Sequence, residues 1–214
     1  MTNKEKWHFL DDCAHGPQEN MDIDVQLLEQ SAKLAGAPLV RFYDWDRPSV
    51  SIGYVQKKDA VPDADKYTLV KRPTGGGVVY HDKDLTYTVI VPASHWIAGL
   101  DRVESYRVFH KAVVRALSVF GLKCQLVDKE QPKVDRATMQ CFVTPTKYDV
   151  LCVNLEPGKS IKVGGSAQRR TKNGILHQGS ISLAPVKHDV KQLKKELKKA
   201  FQDEFNISFM DYYL

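Results

Sequence analysis

Residues 71–82 read Lys-Arg-Pro-Thr-Gly-Gly-Gly-Val-Val-Tyr-His-Asp and are the sharpest local feature of this 214-residue chain. Three consecutive glycines separate two short apolar runs. Glycine weakens a β-strand, so three glycines at this point need a structural reason. A tight β-turn or bulge is one such reason. The other is a ligand that approaches bare backbone, and Arg72 and His81 would surround that same window with hydrogen-bond donors. Both interpretations stay open on these residues alone.

The chain on either side of this turn mixes helical and strand patterns. Apolar residues recur at helical spacing over residues 20–35, 102–120 and 189–205, which predicts three helices. Strands are predicted at residues 39–45, 49–53, 68–72, 78–81 and 85–91, with further strands between 123 and 183. No repeat or linker divides the sequence. We therefore expect one α+β domain over residues 1–214, with a mixed β-sheet flanked by helices.

Composition narrows the class of protein. Hydrophobic residues make up 43% and charged residues 27%, which is typical of a globular chain and excludes a largely disordered one. The net charge of +5 is too small to argue for nucleic acid, although it would suit an acidic partner. No apolar run is long enough for a signal peptide or a membrane span, so we expect a cytoplasmic protein that binds no membrane.

The four cysteines form no Cys-x-x-Cys pair, which argues against a zinc ribbon or a thioredoxin-type site. We expect no metal site and reduced thiols, with Cys13, Cys124 and Cys152 packed structurally. Cys141 could be a core residue or a nucleophile, since nothing in its spacing shows that its pKa is lowered.

A second glycine-rich stretch runs from Gly158 to Arg170. Its Gly-Lys-Ser start is not a phosphate-binding loop, because Val153 stands where that motif needs glycine. Lys162 follows in a short apolar strand. There it either extends to the surface or points at a ligand.

Taken in order, these segments resemble the biotin/lipoate protein ligase and acyltransferase family, most closely its cysteine-dependent octanoyltransferase branch. The resemblance spans residues 5–190. Its motifs are residues 20–28, 48–56, 72–82, 85–88, 162–169 and 177–181, together with Cys-Phe-x-x-Pro-Thr-x-Tyr at 141–148. It implies the catalytic fold shared by class II aminoacyl-tRNA synthetases and biotin–lipoate ligases.

The resemblance also implies a function. Octanoyl (or lipoyl) would pass from octanoyl-acyl carrier protein, through a thioester on Cys141, to one lysine of a lipoyl domain. The acceptor would be a 2-oxoacid dehydrogenase E2 or the glycine-cleavage H protein, and no cofactor would be required. Lys162 would polarise the thioester carbonyl. The substrate site implied by the resemblance comprises Arg72, Thr74, Gly75, Gly76, Gly77, His81, Gly165, Ser166, Ala167 and His177.

Two alternatives stay open. An ATP-dependent lipoate–protein ligase would use ATP and Mg to form a lipoyl-adenylate, and Gly77 is more typical of ligases, since many transferases carry arginine there. With the sequence ending at Leu214, we expect no C-terminal accessory domain, which would favour the transferase. A non-catalytic carrier-binding module is the other alternative, but Cys141 and Lys162 are both present. A biotin ligase is disfavoured, because its glycine–arginine adenylate loop is not evident.

Overall fold

The computed structural model describes residues 4–61, 64–128, 145–156, 159–187 and 189–214. Those residues form three α-helices and eleven β-strands. The helices are α1 (Pro17–Glu29), α2 (Arg102–Ser118) and α3 (Val190–Phe205). The strands are β1 (Glu5–His15), β2 (Leu39–Trp45), β3 (Ser49–Ile52), β4 (Thr68–Lys71), β5 (Val79–His81), β6 (Asp84–Pro92), β7 (Cys124–Leu126), β8 (Val150–Glu156), β9 (Lys159–Thr171), β10 (Gly174–Ser182) and β11 (Ile207–Asp211).

The strands form a large and a small sheet, and both are mixed. The large sheet has the order β11-β1-β2-β6-β10-β9-β8-β7, and the small one the order β4-β3-β5. Strand β1 runs parallel to β11 and to β2, whereas the pairs from β2 to β7 across the rest of the large sheet are antiparallel. The predicted α+β class with a mixed sheet is therefore confirmed.

The central strand β6 shows why the sheet has two differently covered faces. Leu85, Tyr87 and Val89 pack into the main core with α2 and α3, as alternation along a strand requires. Thr86 and Thr88 point to the opposite face, where Thr88 Oγ1 donates to Asp24 of α1. The face under α1 is therefore partly polar.

The structure differs from the sequence-based prediction at both ends. Strands β1 and β11 were not predicted, and the first helix begins at Pro17 and ends at Glu29, followed by a short 3₁₀ turn. Cys124 and Cys152 face each other across β7 and β8 and form a disulfide, so the expectation of reduced thiols is wrong for this pair. Cys13 is exposed rather than packed. Among the described helices, none has the length and apolar character to cross a membrane.

Candidate active site

A cleft of about 740 Å³ opens between the glycine loop, residues 73–77, and strand β9. The start of α2 and the turn at 145–149 close its other sides. Nine residues that the sequence placed in the site line this cleft: Arg72, Gly75, Gly76, Gly77, His81, Lys162, Gly165, Ser166 and Ala167. Segments far apart in sequence therefore meet around one concave surface. Cys141 lies outside the described residues.

The glycines are required by close packing at the end of β3. A Cβ atom on Gly53 would lie 2.3 Å from the carbonyl oxygen of Gly76, well inside contact distance. Gly76 itself has φ +87°, a conformation that residues with a side chain rarely adopt. Its own Cβ would meet the Arg72 guanidinium at 2.9 Å. The loop therefore lies directly on the chain at Gly53, with no room for a side chain between them.

Arg72 fixes the shape of the glycine loop from beneath. Its Nη2 donates to the carbonyl oxygens of Gly75 and Gly77, both at 2.6 Å, and Nε also donates to Gly75 at 3.0 Å. Nη1 donates to the carbonyl oxygen of Ser51 at 3.1 Å, which ties the loop to β3. Hydrogen bonds from a charged donor are stronger than neutral ones. Arg72 thus acts as a brace that positions the loop.

Thr74 supports the loop from behind and does not line the cleft. Its hydroxyl donates to Gln178 Oε1 at 2.7 Å, and Gln178 Nε2 in turn donates to Asp24 Oδ2 at 2.7 Å. Asp24 is buried and pairs with Arg41 at 2.8 Å. A chain of buried hydrogen bonds therefore connects the glycine loop through β10 to helix α1. The sequence contains no local signal for this connection, because its members are 104 and 154 residues apart.

His81 is held at both ring nitrogens. Nδ1 lies 2.9 Å from Asp84 Oδ2, and Nε2 lies 2.8 Å from Ser51 Oγ. The ring stacks on Trp45 with centroids 4.0 Å apart. A carboxylate accepts and does not donate, so Nδ1 donates to Asp84 and the Ser51 hydroxyl donates to Nε2 when the ring is neutral. This fixed orientation makes His81 part of a rigid wall of the cleft.

Lys162 is buried and faces the cleft, and it does not extend to the surface. Its Nζ lies 2.7 Å from Asp149 Oδ2, and both side chains are 4% exposed. Thr146 helps to hold the carboxylate, because its hydroxyl donates to the same oxygen at 2.9 Å. A buried pair of this kind places a positive charge at a defined point of the cleft wall, where it can act on a ligand.

His110 was not predicted from the sequence. It lies on α2 with its side chain buried, and its Nδ1 is 2.6 Å from the carbonyl oxygen of Tyr148. Its Nε2 is 2.7 Å from the hydroxyl of Ser166, which lines the cleft. Burial lowers the pKa of His110 below its usual value, with Asp149 partly opposing that shift. The ring is therefore neutral at neutral pH.

His177 lies behind the cleft wall and does not line it. The ring packs 4.6 Å from the ring of Phe109, and its Nδ1 is 3.0 Å from the amide nitrogen of Gln168, which does line the cleft. Burial, with a smaller contribution from His110, lowers the pKa of His177 well below its ordinary value. It reaches the site through Gln168 and through the ring of Tyr106, another cleft residue, with centroids 5.8 Å apart.

Residues 16–211 match the family model described as the lipoyl protein ligase A/B catalytic domain. The octanoyltransferase LipM of Anoxybacillus flavithermus is 34% identical over 94% of this chain and 77% of its own length. The octanoyltransferase LipM of Carboxydothermus hydrogenoformans is 34% identical over 91% of this chain and 70% of its own.

Solved structures with the same fold are less similar in sequence. A Thermoplasma acidophilum protein with bound lipoic acid superposes with a TM-score of 0.75 at 20% identity, covering 98% of this chain and 89% of that one. A lipoate-protein ligase A bound with ATP gives 0.71 at 19% identity, with coverage of 98% and 89%. A bipartite lipoate protein ligase studied with its E2 lipoyl domain from Thermoplasma acidophilum gives 0.69 at 19%, with coverage of 98% and 88%. These similarities confirm the expected fold, and the family match confirms the resemblance. The chain belongs to the lipoyl protein ligase A/B catalytic-domain family.

Proposed function

We propose that this protein is an octanoyltransferase, which passes an octanoyl group from octanoyl-acyl carrier protein to one lysine of a lipoyl domain. The observation that carries the proposal is the 34% identity with LipM octanoyltransferases over more than nine-tenths of the chain. The cleft supports it, because a buried cation, Lys162, faces the space that the glycine loop encloses.

The proposed chemistry has two steps, and each exchanges one acyl bond for another. The Cys141 sulfur would attack the octanoyl thioester of the carrier, and the carrier thiol would leave. The acceptor amine would then displace the Cys141 sulfur and form an amide. The role of Cys141 depends on the motif at 141–148, and the role of Lys162 on its position in the cleft.

Lys162 suits the part of an electrostatic stabiliser. Negative charge develops on the carbonyl oxygen when a thioester is attacked, and a fixed positive group in a partly dehydrated site stabilises that charge. Because conversion of a thioester to an amide is downhill, the protein has chiefly to position the reactants. Arg72 and His81 serve that purpose, since they fix the wall against which the acyl group would lie.

We further propose that the transferase requires no cofactor, because the acyl group arrives already activated as a thioester. The acceptor would be an E2 lipoyl domain or the glycine-cleavage H protein. The second candidate is a lipoate ligase that uses ATP and Mg. Gly77 favours it, since the corresponding residue of many transferases is arginine.

One experiment separates the two candidates. The protein is incubated with octanoyl-acyl carrier protein in the absence of ATP, and its intact mass is followed for an adduct that neutral hydroxylamine removes. We expect the adduct in the wild type and in Cys13→Ser, whose thiol is exposed and distant in sequence, but not in Cys141→Ala. A wild type that forms no adduct, but lipoylates a carrier domain with free lipoate and ATP, would be the ligase.

A further inference from the structure

The cleft contains a serine and a buried histidine whose hydrogen bonds have a defined direction. The carbonyl oxygen of Tyr148 can only accept, so His110 Nδ1 must donate to it across their 2.6 Å contact. In the neutral ring the other nitrogen, Nε2, then carries a lone pair. That lone pair lies 2.7 Å from Ser166 Oγ, so the Ser166 hydroxyl donates to His110.

Ser166 therefore faces the cleft with acceptor capacity to spare. Its proton is committed to His110, whereas its oxygen has two lone pairs and lines the cavity beside Gly165 and Ala167. Lys162 lies four residues earlier on the same strand, β9, and lines the same cavity. A group with an N–H to lose in this cleft can thus donate to Ser166.

We propose that Ser166 and His110 form a proton relay that takes the proton released when the acceptor lysine is acylated. The inference rests on the proposed amide-forming reaction and adds the groups that move its proton. Ser166 would touch the substrate amine and be a catalytic residue. His110 would act through Ser166, as a positioning residue for its hydroxyl and as the temporary holder of the proton.

The step balances without any further reactant. The unprotonated amine attacks the octanoyl thioester, the C–N bond forms, and the C–S bond breaks with its electron pair leaving on sulfur. The amine proton moves to Ser166 Oγ while the Ser166 proton moves to His110 Nε2. The imidazolium then returns a proton through Ser166 to the departing thiolate, so the products are an amide and a thiol.

The surroundings of His110 suit a site that holds a proton only briefly. Asp149 favours the imidazolium, whereas burial and the charge of Lys162 disfavour it. Two further titratable groups of the described residues lie near the ring: His177, with centroids 5.8 Å apart, and Tyr106 on the same helix, at 6.3 Å. Burial raises the pKa of the Tyr106 phenol and lowers that of His177, so both are neutral at neutral pH. His110 is thus neutral at rest, and the nearby Asp149 carboxylate can stabilise its charged form.

A second serine–histidine pair in the cleft, Ser51 and His81, is less suited to proton transfer. Ser51 Oγ also lies close to His81, but it accepts from Arg72 Nη1 at 3.1 Å and the residue is only 2% exposed. Its hydrogen bonds hold the glycine loop to β3. Ser166 is half-buried and lines the cavity, and among the described residues its hydroxyl contacts His110 instead of bracing the glycine loop. The relay is therefore assigned to Ser166 and His110.

The test separates the two halves of the reaction. Octanoyl-enzyme is formed from octanoyl-acyl carrier protein, isolated, and mixed with excess lipoyl domain to give the single-turnover rate of amide formation. We expect Ser166→Ala and His110→Gln to lower that rate about 100-fold, within the usual range for general base catalysis, and to slow enzyme acylation far less. Ser166→Thr keeps the hydroxyl and should retain most of the wild-type rate.

The pH profile supplies a readout that a purely structural role would not change. The acceptor amine must lose its own proton, which gives the logarithm of the rate a slope of about one against pH. The wild type should steepen to about two on the acid side, where His110 becomes protonated, and His110→Gln should keep a slope of about one. The matched control is Ser31→Ala, which removes a buried hydroxyl that donates to the carbonyl oxygen of Asn173, remote from the cleft.

The outcomes are distinct. Ser166→Ala and His110→Gln proteins that melt like the wild type, form amide within twofold of its rate and keep its pH slope would overturn the relay alone. A wild type that forms no octanoyl thioester would contradict the proposed transferase function. Loss of rate in Ser166→Ala together with equal loss in Ser31→Ala would show a structural effect and would also overturn the relay.

Discussion

Gly53→Ala tests whether the shape of the glycine loop depends on its contact with β3. The new Cβ would lie 2.3 Å from Gly76 O, 3.0 Å from Gly75 C and 3.2 Å from Gly75 O. Ordinary contact begins near 3.4 Å, so the loop must move by about 1 Å. All three atoms belong to backbone, and Arg72 holds that backbone through the Gly75 carbonyl oxygen, so no side-chain rotation can relieve the clash.

The expected magnitudes follow from that displacement. Overpacking of this kind costs about 1–3 kcal/mol, which for a chain of this size lowers the melting temperature by about 2–12 °C. A 1 Å shift of a positioning element also costs about 100-fold in rate. We expect both effects in thermal melts monitored by circular dichroism and in octanoyl transfer to a lipoyl domain.

Gly75→Ala is the matched control for stability. Among the described residues, a Cβ there would meet the ring of Tyr54 at 3.8 Å and nothing closer, and Gly75 has no positive φ. Its melting temperature should stay within about 2 °C of the wild type, as an alanine without a clash requires. A Gly53→Ala protein that melts and transfers octanoyl like the wild type would refute the close-packing argument.

Three more changes give separate tests. Lys162→Met should leave Asp149 as a buried carboxylate without its ion-pair partner. We expect the free energy of unfolding to fall by about 3–5 kcal/mol and octanoyl transfer to be abolished. If Asp149→Asn, added to Lys162→Met, restores the stability, the loss of the ion pair is the cause. Gln178→Leu should cut the connection from Thr74 to α1 and cost about 1–3 kcal/mol in urea unfolding, and an unchanged midpoint would contradict it. Acidification should destabilise the fold: His177 has a lowered pKa when folded, so below about pH 6.5 the unfolded chain binds a proton that the folded chain does not. The melting temperature should therefore fall between about pH 6.5 and 5, and fall less in His177→Gln; equal slopes would contradict this account.

The sequence predicted best the elements that local patterns define. Helix α2 was expected over residues 102–120 and runs from Arg102 to Ser118, because its apolar residues repeat at helical spacing and Asp101 caps its first turn. Strand β6 was expected at residues 85–91 and runs from Asp84 to Pro92, with its alternate residues Leu85, Tyr87 and Val89 in the main core. In contrast, β1 pairs only with strands parallel to it, β2 and β11. Parallel strands are not joined by a hairpin turn that could be recognised in the sequence. The charged residues of β1 also obscure the alternation of apolar and polar side chains.

The residues of the site also divide into those with a local sequence pattern and those that only the fold brings together. Lys162 and the glycine loop have recognisable neighbours in sequence, so they could be proposed without a structure. Asp149 and His110 could not be proposed from the sequence, because neither lies in a recognisable motif. Their place in the site becomes visible only in the folded chain, where both contact side chains of β9. Thr74 and His177 belong to matching motifs but lie behind the cleft wall. The motifs therefore predicted which residues lie near the cleft more reliably than which side chains line it.

The turn at 145–149 connects the two features of the cleft that carry charge or protons. Tyr148 has φ +67°, and two backbone hydrogen bonds to Val127 hold the turn in register. In that conformation the Tyr148 carbonyl accepts from His110, while the next residue, Asp149, pairs with Lys162. A non-glycine residue with positive φ costs about 1–3 kcal/mol and persists only where its surroundings require it. Here the strained residue orients the proposed relay and the buried cation from adjacent positions, so neither group can shift without disturbing the other.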